Sequence, residues 1–63
     1  MPDTQLRFIL EQALKLEHAA EVNCDTLLRE FRLNGFHDKV EHIKNDEIRH
    51  QEIVRTLLSY VED

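Results

Sequence analysis

Arg32-Leu33-Asn34-Gly35-Phe36-His37-Asp38-Lys39-Val40-Glu41 is the one stretch that interrupts an otherwise helix-forming chain. Gly35 is the only glycine, and beside Asn34 it offers the left-handed conformation that ends a helix. Asp38 followed by Glu41 has capping-box spacing and marks a second helix start. Upstream, Pro2, Asp3 and Thr4 open the first helix, with Asp3 or Thr4 as N-cap. The reading is a single domain over 1–63, with a helix over about 4–33, a turn over 34–38 and a helix over about 39–60.

Apolar spacing shows which faces are buried. In the first helix a seam runs Leu6, Leu10, Ala13, Glu17, Ala20, Cys24, Leu27, Phe31, in steps of four and three. In the second it runs Val40, Ile43, Glu47, His50, Val54, Leu57, Val61. This is the pattern of a knobs-into-holes bundle. Ile9, Leu14, Leu16 and Leu28 widen the first stripe, and Ile53 and Leu58 the second. One hairpin cannot cover both stripes, whereas two hairpins cover all four. The expected fold is all-α, an antiparallel two-helix hairpin that dimerises into a four-helix bundle.

Length and composition agree. A chain of 63 residues hides only about 60% of its unfolded surface, so it needs a disulfide, a metal or a partner. Its single cysteine, Cys24, cannot form an internal disulfide and is compatible with a reducing compartment. The net charge of −5 argues against nucleic acid, which requires clustered Lys and Arg, and favours cations or a neutral protein partner. No apolar run approaches the ~20 residues that cross a bilayer, and the N-terminus does not resemble a signal peptide. A cytoplasmic setting, or a protein compartment loaded from it, is expected.

Three polar residues interrupt the seams. Glu17, Glu47 and His50 stand where the pattern calls for aliphatic side chains, and Glu47-x-x-His50 places its pair on one face about a turn apart. Ala13 and Ala20 leave room beside Glu17. A two-fold dimer would bring four such glutamates and two histidines into its interior, at several kcal/mol per unpaired ion. Two divalent cations would neutralise them. Mixed oxygen and nitrogen donors suit iron or manganese, with zinc a competitor. The residues therefore point to a dinuclear carboxylate site.

Leu14-Lys15-Leu16-Glu17-His18-Ala19-Ala20 resembles the ligand-bearing segment of the first or third helix of ferritin-like proteins, the superfamily of ferritins, bacterioferritins and rubrerythrins. Asn45-Asp46-Glu47-Ile48-Arg49-His50 resembles the acidic block of their second or fourth. The resemblance spans nearly the whole chain. It implies a ferritin-like bundle with Glu17 as terminal ligand, Glu47 as metal bridge and His50 as nitrogen ligand. Full-length members carry this unit twice, whereas this chain carries it once, as encapsulated ferritins do, so a second subunit must supply the other half.

Pairing the seams across a turn near Phe36 sets Cys24 opposite Glu47, Ala20 opposite His50 and Glu17 opposite Val54, about one turn beyond His50. Offset helices, a Glu17 reaching in from the partner chain, or Glu21 as reserve ligand would each close that gap.

The leading expectation is a homodimer, extending to a larger ring, that binds two Fe per dimer and oxidises Fe(II) with O2 or peroxide. Such ferroxidase activity serves iron handling or detoxification. Iron storage would require an enclosing shell protein, because a hairpin of this size forms no cage. The alternative is a helical dimerisation module with a structural metal or none. His18, Asp25 and His42 read as solvated helix edges, His37 as a turn residue, Cys24 as a small buried hydrophobe and Tyr60 as a seam-edge aromatic.

Overall fold

The computed structural model describes residues 4–32 and 35–61; Pro2 and Asp3 of the expected start, Leu33 at the expected end of the first helix and Asn34 of the expected turn lie outside the described residues. It is all-helical, with α1 over Thr4–Glu30 and α2 over Phe36–Val61, and no strand among the described residues. The helices pack against each other as an elongated hairpin of 51 × 14 × 11 Å.

The connection between the helices lies about three residues upstream of where the sequence spacing predicts it, α1 ending at Glu30 and α2 starting at Phe36. The last described bond of α1 runs from the Phe31 N–H to the Leu27 carbonyl at 3.0 Å. Phe31 then leaves the helix to meet Phe36 edge-on, with ring centroids 6.2 Å apart. Such a pair contributes about 0.5–1.5 kcal/mol beyond its buried area and clasps the two helix ends together. Gly35, at φ 72°, accepts the Lys39 N–H at 3.4 Å and so takes the capping position itself. Asp38 thereby falls inside the first turn of α2, where its charge faces the positive end of the helix dipole. A Cβ at Gly35 would meet nothing within 4 Å. Gly35→Ala is therefore expected to cost only the left-handed strain, about 1–2 kcal/mol in urea unfolding.

Burial inside the hairpin is slight. Among the described residues only Cys24, Val40 and Gln51 are buried. The accessible surface is 4978 Å², against about 4,200 Å² for a compact monomer of this mass. Large apolar side chains share in that exposure: Leu16 is 73% exposed, and Phe8, Ile9, Val22, Ile43, Ile53 and Leu57 are exposed as well.

Ile9 and Leu16 of α1 and Ile43 and Leu57 of α2 fall on one side, whereas Ile53 lies nearly opposite the helix contact. At 100° per residue, Ile9 and Leu16 lie about a quarter-turn from the line along which α1 meets α2. Leu57 and Ile43 lie off the matching line of α2, also in the direction opposite to its chain rotation. Because the helices are antiparallel, those two directions coincide. The hairpin thus has one open apolar face. Its other side carries the ion pair between Lys44 Nζ and Asp25 Oδ1 at 2.5 Å. No helix among the described residues is long and apolar enough to cross a membrane.

Candidate metal centre

Glu17 projects from the middle of α1, one turn after Ala13 and just before Ala20, whose small side chains leave the carboxylate unobstructed. Glu47 and His50 project from the middle of α2, and their spacing of three puts them on one face. All three are half-buried at the border between the helix contact and the open apolar face.

The structure brings them together. One oxygen from each carboxylate and one ring nitrogen lie within 4.8 Å of one another. His50 Nδ1 stands 3.4 Å from Glu17 Oε2. Metal–ligand bonds of about 2.0–2.2 Å put neighbouring ligand atoms roughly 3 Å apart, so this gathering suits a cation with small side-chain adjustments. No other set of three acidic, histidine or cysteine side chains among the described residues gathers so closely. The one-turn gap expected between Glu17 and His50 is thus closed within a single chain.

Comparison with protein-family models, with curated proteins and with solved structures returns no match. The chemistry of the site therefore has to be read from its own geometry.

Electrostatics mark Glu47 as the strained member. Its pKa is raised, first by a hydrogen bond to the Glu17 carboxyl, then by desolvation and by the Glu17 charge, while His50 opposes the shift. Two carboxyls in hydrogen-bond contact need a proton between them, and a cation supplies the same neutralisation.

Glu21, the reserve ligand, stands outside this group. Its Oε1 accepts a hydrogen bond from Gln51 Nε2 at 2.8 Å and lies 3.6 Å from His18 Nδ1. Asp25 is engaged by Lys44, whose pKa that contact raises. His37 pairs with Glu41 and His42 with Asp46, both one turn along α2 on exposed edges. Cys24 is a free, buried thiol whose pKa is raised chiefly by burial and then by the Glu47 and Asp25 charges, which keeps it unreactive. Tyr60 is exposed.

Sequence reasoning passed over Gln51. It is 3% exposed, the most buried of the described residues, and its amide also donates to the Glu47 carbonyl at 3.4 Å. A signal was present: Val40, eleven residues earlier, and Leu58, seven later, lie on the same line of α2. A polar residue on such a line is either buried with a partner or misread.

Proposed function

We propose that this chain is half of a di-iron carboxylate protein with ferroxidase activity. The observation that carries the reading is the gathering of Glu17, Glu47 and His50 at the edge of an uncovered apolar face. A second copy laid on that face covers Ile9, Leu16, Ile43 and Leu57, and its own triad completes a set of four carboxylates and two imidazoles. Such an interface needs about 800 Å² from each partner.

In such a pair Glu47 of each chain, at the centre of the cluster, would hold two irons between the chains, as two-metal sites do. Glu17 and His50 would complete the ligand set from either side. Fe(II) is the substrate: each of two ions gives up one electron, and O2 with two protons leaves as H2O2, or peroxide with two protons leaves as water. The carboxylates favour the more highly charged product, and the hydrophobic seam limits access of water. Manganese or zinc fits the same donors. The setting that suits this chemistry is the cytoplasm, or an enclosing protein shell if the product is stored.

Titration of metal-free protein with Fe(II) without oxygen, followed by intact-complex mass and then by Fe(III) absorbance on admitting air, tests the reading. Two irons per dimer, oxidised promptly, are expected. A dimer that takes up no iron would leave the second reading, a helical interaction module, which the exposed apolar face supports independently of the triad.

A further inference from the structure

We propose that Gln51 is a positioning residue that withholds Glu21 from the metal centre, so that each α1 presents one carboxylate rather than two. The proposal rests on the di-metal reading of Glu17, Glu47 and His50 and adds what limits the ligand set.

Gln51 lies between the two helices at 3% exposure, where an aliphatic side chain would pack without cost. A buried amide is tolerated only when its hydrogen bonds are made. Both described bonds of Gln51 come from Nε2: one reaches across to Glu21 Oε1 at 2.8 Å, the other returns to the Glu47 carbonyl at 3.4 Å. Gln51 therefore ties the α1 carboxylate to the backbone of the α2 residue that gathers with Glu17 and His50.

Glu21 is the natural competitor for that centre. It follows Glu17 by four residues and so shares its face of α1. The seam pairing sets its neighbour Ala20 opposite His50, so its backbone is closer in register to His50 than that of Glu17. Its side chain points the other way, held by Gln51 and by His18, toward the side of the hairpin where Asp25 meets Lys44. Neither His18 nor Lys44 is bonded to Glu17. The division leaves Glu17 alone on the open face.

Charge gives the division a purpose. Four carboxylates in a pair of chains match two divalent cations, and two further carboxylates would leave the centre negative. A fifth and sixth oxygen donor would also fill coordination positions that an oxidant needs. Gln51 thus sets both the charge and the vacancy of the centre by holding a potential ligand elsewhere.

The test uses Mn(II) binding to the full chain, with helicity followed by circular dichroism. Glu17→Ala alone is expected to weaken Mn(II) binding by at least ~100-fold, because Glu21 stays tied to Gln51. Adding Gln51→Leu frees Glu21 to replace the lost ligand, and binding should return to within ~10-fold of wild type. Adding Glu21→Ala as well should abolish the recovery. A purely structural role for Gln51 predicts further loss in the double variant, not rescue. Gln51→Met, which keeps length and flexibility, serves as a second releasing variant. Folded double variants that bind as weakly as Glu17→Ala would overturn the proposal, as would full binding by Glu17→Ala with Gln51 intact. Wild-type protein that binds no Mn(II) or Fe(II) would instead remove the metal-centre reading on which it rests.

Discussion

Glu47→Ala is expected to lose iron binding and Fe(II) oxidation together, by at least ~100-fold, while making the metal-free protein more stable at neutral pH. The two effects have one origin. Glu47 is held against Glu17 with its pKa raised by that hydrogen bond, by desolvation and by the neighbouring charge. A raised carboxyl pKa means that the folded state binds the proton more tightly than the unfolded one. The stabilisation is complete below the ordinary value of 4.5 and is lost as pH rises through the elevated folded value. At neutral pH the apo-protein therefore carries an unfavourable pair of carboxylates, which alanine removes. Wild-type apo-protein should melt at progressively lower temperature as pH rises through that window. The variant should show a flatter dependence. Metal binding runs the other way, since it requires both carboxylates deprotonated and so strengthens with pH. A variant that loses iron but is destabilised when apo would mean that Glu47 supports the fold rather than straining it.

Ile9→Asp carries the second large effect. In an isolated hairpin Ile9 is already 55% exposed, and a surface substitution there would change stability by no more than about 0.5 kcal/mol. In the proposed pair the same position is covered, and each dimer would bury two uncompensated carboxylates at several kcal/mol each. The expected outcome is a monomer by analytical ultracentrifugation with most of its helicity gone. Phe8→Asp is the control, because Phe8 is equally apolar and 62% exposed but points away from the open face. A dimer that survives Ile9→Asp but not Phe8→Asp would place the contact on the other side.

The helices and the triad were legible because both are written in periodicity. Steps of three and four fix a helix face, and three polar residues on such a face stand out against aliphatic neighbours. What periodicity does not encode is side-chain direction. Glu17 and Glu21 share a face of α1, and the contacts of Glu21 with Gln51 and His18 separate the one turned to His50 from the one turned away. The turn was misplaced for a similar reason. Asp38 and Glu41 have the spacing of a cap, but the conformational freedom of Gly35 lets α2 begin at Phe36, upstream of both. Capping signals rank residues by what their side chains accept, and a glycine carbonyl in the right place needs no side chain.

The two-sidedness of the hairpin bears on how far its association can run. A rod 51 Å long with greasy residues along one flank and the Lys44–Asp25 bridge on the other has a front and a back. Two fronts that meet around a two-fold axis consume each other, whereas a front that met a back would leave another front free and string copies into a filament. The charged back discourages that second arrangement. In the proposed pair, a chain with so little interior of its own would remain adhesive without polymerising, its stickiness spent in a single embrace.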